Sequence, residues 1–129
     1  MLIELDFNSE KPIYEQLYEA IILAMASGEL SPNESLPSVR SLGEEIGINL
    51  HTVNKAYNLL KEEGYIQMDR RKGALVSPLP IQTSPKTEAE LDEAFALLAA
   101  KAKLMGHDEA YVLNRITHYY NQRGGAKHE

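Results

Sequence analysis

The chain has 129 residues, 43% of them apolar and 25% charged, with no cysteine, which suits one compact domain or a small domain with an appendage and excludes disulfides and thiolate zinc sites. The net charge of −6 is unevenly spread: residues 1–34 carry a balance of −6, residues 35–78 of +1 and residues 79–129 of −1. A nucleic-acid-binding surface is therefore not excluded in the middle third, because local charge facing the phosphates sets binding, and the small local excess implies salt-sensitive binding with weak non-specific affinity.

No apolar run approaches the roughly 18 residues that cross a bilayer. Acidic residues follow the N-terminus where a signal peptide carries basic ones. A cytoplasmic protein without a membrane partner is the expectation.

Ile3, Leu5 and Phe7 alternate with Glu4 and Asp6, a period of two that predicts a short half-buried strand over residues 2–7. Pro12 suits the first position of a helix, which should run to about Ser27 and stop at Gly28. Ile13, Leu17, Ala20, Ile21 and Ala24 form one apolar stripe, with Tyr14, Tyr18, Ile22 and Met25 beside it. Two stripes fit burial on two sides or one wide core face. Residues 31–37, with two prolines, read as a turn-rich loop.

Ser38 is a candidate cap for a helix that turns Val39, Leu42 and Ile46 inward. Gly43 has no helical merit of its own, but it suits close packing. Gly47 ends the helix, and Asn49 caps another whose core stripe is Val53, Ala56, Tyr57 and Leu60, with Gly64 at its end. Residues 65–68 and 74–77 read as paired strands around Asp69-Arg70-Arg71-Lys72-Gly73, with Gly73 suited to positive φ near the tip. Helix, turn, helix and a hairpin with a basic tip predict a mainly α (α+β) winged helix-turn-helix over residues 1–77.

Residues 78–87 hold three prolines and no periodicity, a linker or wrapping segment. Over residues 88–122, Leu91, Ala94, Phe95, Leu98, Ala102 and Met105 repeat at helical spacing. Gly106 breaks the helix, Asp108 caps another, and Val112, Leu113, Ile116 and Tyr120 are its apolar residues. Two helices alone make a poor core. They fold back on the first domain or pair with another copy. The preferred reading is a dimerisation arm using Leu91, Phe95, Leu98, Ala102, Val112, Ile116 and Tyr120. Residues 123–129 read as a flexible tail.

The chemistry sits on the second helix of the pair. With Val53, Tyr57 and Leu60 inward, Leu50, His51, Asn54, Lys55 and Asn58 face outward, and the first turn of such a helix reaches base edges in the major groove. Asn54 offers a two-pronged amide to adenine, and Leu50 suits a thymine methyl. His51 and Thr52 donate to phosphate or base. Arg40 can grip guanine bidentately; its plainer role is a surface pair with Glu44. Arg70, Arg71 and Lys72 place three cations on a wing tip, within reach of phosphates or the minor groove.

An enzyme is the weakest reading. The four histidines show no metal spacing, no nucleophile elbow or phosphate loop appears, and the pairs Glu44-Glu45 and Glu62-Glu63 read as solvated helix faces. No cofactor or metal is implied.

Residues 9–77 resemble the N-terminal domain of GntR-family bacterial transcription regulators. The resemblance rests on Tyr14-Glu15-Gln16-Leu17, Leu36-Pro37-Ser38-Val39-Arg40-Ser41-Leu42, Gly47-Ile48-Asn49, Thr52-Val53, Ala56-Tyr57, Leu60, Glu63-Gly64-Tyr65-Ile66 and the wing glycine Gly73. It implies operator contacts from Arg40, from Asn49 through Asn54, and from Gly73; Ser38, at the same helix end as Arg40, is a further candidate DNA contact. It also implies a homodimer on a pseudo-palindromic double-stranded operator. The short segment after the wing resembles the YtrA-type subfamily, whose two C-terminal helices mediate dimerisation and whose members resemble repressors near transporter genes. This chain departs from the family pattern at Leu50-His51 and at Asn54, which bears on the operator sequence rather than the binding mode. Control is expected from an unidentified small-molecule effector in the dimer cleft or from protein level alone. The alternative function is a winged helix used for protein contacts without DNA, which the negative total charge favours.

Overall fold

The computed structural model describes residues 3–122; Leu2 and the tail over 123–129 lie outside the described residues. The elements run α1 (Ile13–Ala26), α2 (Val39–Ile46), α3 (Leu50–Glu62), β1 (Ile66–Asp69), β2 (Gly73–Val76), α4 (Pro85–Leu104) and α5 (Glu109–Tyr120). They divide into two compact units, with the boundary between Gln82 and Thr83.

In the first unit, the apolar stripes of α1, α2 and α3 converge with the inner face of the hairpin. Leu17, Ile21, Ala24, Leu42, Val53, Ala56, Tyr57, Leu60, Ile66, Ala74 and Val76 are buried together, with Leu30 and Leu36 from the intervening loops. Each such large side chain contributes roughly 1.5–3 kcal/mol on leaving water. The second stripe of α1, Tyr14, Tyr18, Ile22 and Met25, packs half-buried against the same core, so α1 has one wide face in this chain.

Side-chain caps fix where the helices begin. The Ser38 hydroxyl accepts from the Ser41 N–H at 3.0 Å, and Asn49 Oδ1 accepts from the His51 N–H at 2.7 Å. Between these caps, Gly43 lets α2 approach the turn: a Cβ there would lie 3.1 Å from the Ile48 carbonyl oxygen. The Ile48 N–H donates to the Gly43 carbonyl at 3.0 Å and closes the turn.

One expectation for the first unit fails, and one expected loop proves to be tied to the wing. Ile3–Phe7 forms no strand. Ile3 packs on the core as the alternation requires, but no neighbouring strand supplies main-chain partners. The Gln16 amide takes that role: its Oε1 accepts from the Asp6 N–H at 2.8 Å, and its Nε2 donates to the Asp6 and Lys11 carbonyls at 3.0 and 2.9 Å. Conversely, the segment read as a loop before α2 pairs with β2. The Asn33 N–H donates to the Val76 carbonyl, the Val76 N–H to the Glu34 carbonyl and the Leu36 N–H to the Ala74 carbonyl, at 2.8–2.9 Å. This short edge ties the wing to the start of the helix pair.

In the second unit, Ser84 caps α4 by accepting from the Thr87 N–H at 3.1 Å, with Pro85 in the first turn. The helix therefore starts three residues inside the stretch read as linker. Asp108 caps α5 by accepting from the Tyr111 N–H at 2.9 Å. Neither helix buries a residue.

Candidate nucleic-acid interface

The polar side of α3 is set by its own periodicity. With Val53, Ala56, Tyr57 and Leu60 in the core, His51, Asn54, Lys55 and Asn58 are exposed along one side, and Leu50 is 39% exposed at the first turn. Thr52 is half-buried on the flank. His51, Asn54, Lys55 and Asn58 line one shallow open groove together with Tyr14, Leu59 and Glu62. Arg40, Asn49 and Leu50 line a second one at the α2–α3 turn. Seven of the residues expected from sequence on α2, α3 and the turn between them thus fall into two groups, while Ser38 and Thr52 line neither groove.

Arg40 is exposed in the first turn of α2. The pairing with Glu44 does not form: among the described residues the recorded salt bridge is Lys11 with Glu19, at 2.7 Å on the surface. The position of α2 against α3 is fixed by Tyr57, whose hydroxyl donates to the Pro37 carbonyl at 2.7 Å. That bond satisfies a main-chain acceptor one residue before the Ser38 cap. Burial pushes the Tyr57 phenol up to about 12. At the far end of α3, the Tyr18 hydroxyl donates to Glu63 Oε1. Burial, then that carboxylate, holds the Tyr18 phenol above its usual range.

The wing is an antiparallel pair with Ile66 opposite Val76 and Asp69 opposite Gly73. Arg70, Arg71 and Lys72 are the three exposed residues between the strands, and Gly73 has φ +77°, the left-handed conformation that closes such a loop. Sequence reasoning missed what orders this tip. The Asp69 carboxylate accepts from the Arg71 and Lys72 N–H groups at 2.8 and 2.9 Å. Those two bonds, that from Lys72 first, hold its carboxyl below the usual range. An Asp at the start of a tight turn is the signal that would have found it. Tyr14 was also missed as a groove residue, and nothing local signals it, because its partner Lys55 is distant in sequence.

In the second unit, Leu91, Phe95 and Leu98 are 55%, 51% and 44% exposed. Ile116 and Tyr120 on α5 are exposed too, while Ala102 and Val112 are half-buried. Leu97, Leu98, Ala102, Met105 and Tyr111 line an open apolar trough between the two helices. No described helix is long and apolar enough to cross a membrane.

The model of the bacterial regulatory proteins of the gntR family matches residues 13–76. The HTH-type transcriptional repressor YtrA of Bacillus subtilis (strain 168) is 40% identical over 76 residues, 59% of this chain, and the match spans 58% of that protein's length. YtrA from Sulfolobus acidocaldarius, solved as a GntR-family transcription factor, is 32% identical with a TM-score of 0.60, over 93% of this chain and 100% of that one. A transcriptional antiterminator from Listeria monocytogenes EGD-e shares the fold, with a TM-score of 0.85 over 96% of both chains at 23% identity. With a near-complete YtrA-like counterpart and a family match that spans α1 to the wing, the chain belongs to the GntR family and is a DNA-binding transcription regulator.

Proposed function

We propose that the chain is a dimeric repressor that lays α3 of each copy into successive major grooves of a pseudo-palindromic operator controlling a transporter-type operon. The observation that carries this reading is the continuous exposed side of α3, with unpaired Arg40 at one end and a cationic, Asp69-ordered wing on the same unit. Within it, Arg40 and Asn54 read base edges, Leu50 meets a thymine methyl, and His51 and Asn58 contribute polar contacts along the groove. Ser38 and Asn49 serve chiefly by fixing the two helix starts that carry these residues. Arg70, Arg71 and Lys72 hold phosphates or the minor groove, and Gly73 permits close backbone approach.

The homodimer reading is supported by the unburied apolar side chains of α4 and α5. Leu91, Phe95, Leu98, Ala102 and Met105 follow spacings of four and three, the seam of a helix that packs on another helix. A second copy covers that seam and places two reading helices about one helical turn of DNA apart. Repression and a transporter-type target come from the likeness to the repressor YtrA. Any effector is a small molecule bound by the assembled arms.

The test is selection of duplexes from a genomic library, followed by titration of two variants over a salt series. Arg40→Ala is expected to weaken the selected duplex by about 1–3 kcal/mol and to relax preference at one base pair. Arg71→Ala is expected to weaken selected and unrelated duplexes alike, with a salt slope shallower by about one. Failure of the wild-type chain to select any duplex overturns the reading.

A further inference from the structure

Lys55 does not sit where a reader of bases on α3 would. Each helical residue turns by about 100°, so the exposed arc of α3 is centred on Asn54, Asn58 and His51, and Lys55 closes it on the side of α1. There its ammonium lies 4.0 Å from the centroid of the Tyr14 ring, in the first turn of α1. Tyr14 is half-buried and packed against the core, so the ring is a fixed platform. The Lys55 ammonium makes no salt bridge among the described residues.

A free lysine loses about 2 kcal/mol of side-chain freedom when held in one place. A ring face that already holds the ammonium removes part of that cost before DNA arrives. A cation held to one flank of a groove-filling helix faces the sugar–phosphate wall rather than the groove floor. The ring's hold is weak at an exposed site, and it leaves the outer hemisphere of the ammonium open to an anion.

The geometry assigns Lys55 to a backbone phosphate beside the recognition helix and makes Tyr14 the positioning residue that aims it. This inference rests on the reading of α3 as the DNA-facing element. It separates Lys55 from its α3 neighbours: His51, Asn54 and Asn58 bear on sequence preference, whereas Lys55 bears on affinity for any duplex.

The experiment is a double-substitution cycle on the full chain, with Tyr14→Leu and Lys55→Gln singly and together. Affinities are measured for a selected duplex and an unrelated duplex of equal length, at three salt concentrations. Lys55→Gln is expected to lower both affinities by the same factor and to reduce the salt slope by about 0.9. Tyr14→Leu is expected to weaken binding about two- to fivefold and to have no further effect in the Lys55→Gln background. Tyr14→Phe, which keeps the ring, is expected to bind as the wild type does. Additive losses in the cycle overturn the coupling, and relaxed preference at one base pair with an unchanged slope makes Lys55 a base reader instead. Should Tyr14→Leu melt early, Lys55→Gln and Tyr14→Phe still decide the assignment. Failure of the wild-type chain to select a duplex brings down the α3 reading and this assignment together, whereas selection with an additive cycle brings down the assignment alone.

Discussion

The two units use the same kind of amphipathic helix to opposite ends. Among the described residues of the first unit, thirteen apolar side chains are buried around one centre. Residues 83–122 bury none, although α4 carries Leu91, Phe95, Leu97, Leu98 and Leu104, with Met105 just past its end. The first unit has stripes from four directions to satisfy one another. The second has two helices and no third surface. The lesson is that an apolar stripe states a demand for burial but not who meets it. In the first unit the stripes meet that demand among themselves, and in the second the two helices by themselves leave it unmet.

The sharpest way to break this contrast is to cut between the units. Residues 1–82 are expected to remain folded but to sediment as a monomer, and to bind a two-half-site duplex at least about 10²-fold more weakly, because the second half-site is no longer held nearby. An intact dimer after the cut would move the interface into the first unit. The next largest effect comes from matched truncations. Leu60→Ala, at a fully buried position, should cost about 2–5 kcal/mol in denaturant melts at every protein concentration. Leu98→Ala should leave the melt of a dilute, dissociated sample unchanged and raise the dimer dissociation constant. Equal losses from both at all concentrations would show that α4 has a core within one chain.

What could be read from the amino acids alone follows the same division. Caps at Ser38, Asn49 and Asp108 and the stripe of α3 are local signals, and they locate the helices and the polar side of α3. The errors fall where partners decide. Ile3 and Leu5 alternate like a strand, but hydrogen bonds from Gln16 replace the missing neighbour. Residues 33–36 show no alternation, yet they pair with β2 because the wing lies beside them. At the site, the wing cations are legible as a charge run, whereas the order imposed by Asp69 and the aim given to Lys55 by Tyr14 depend on contacts that composition does not display.

A smaller test concerns how the first unit orients its own site. Tyr57→Phe removes the donor to the Pro37 carbonyl and should cost about 1 kcal/mol at neutral pH. The phenol rises from 10.0 to about 12 on folding, so the folded state favours the protonated form. Stability from this group is complete below pH 10.0 and is lost as pH climbs toward 12. The wild type should therefore weaken over that alkaline window more steeply than Tyr57→Phe, as followed by melting temperature. Identical alkaline slopes would show that the hydroxyl is not buried as described.

The smallest expected effect lies on the wing and separates order from charge. Asp69 places a negative charge beside three cations on a surface read as meeting phosphates, which by itself opposes binding. Its carboxylate also receives the Arg71 and Lys72 N–H groups and so sets the loop that carries them. Asp69→Asn retains an acceptor oxygen without the charge, so it should tighten binding to any duplex about twofold, most visibly at low salt. Asp69→Ala removes charge and acceptor together, so the gain from lost repulsion is offset by a loosened tip and binding should fall short of Asp69→Asn. Because the folded carboxyl titrates below its usual 3.8, the lock is fully present above that value and is released only as pH falls through the lower one. Equal affinities for the Asn and Ala variants in a salt-series titration would mean that the turn bonds contribute nothing to binding, leaving Asp69 as a plain repulsive charge.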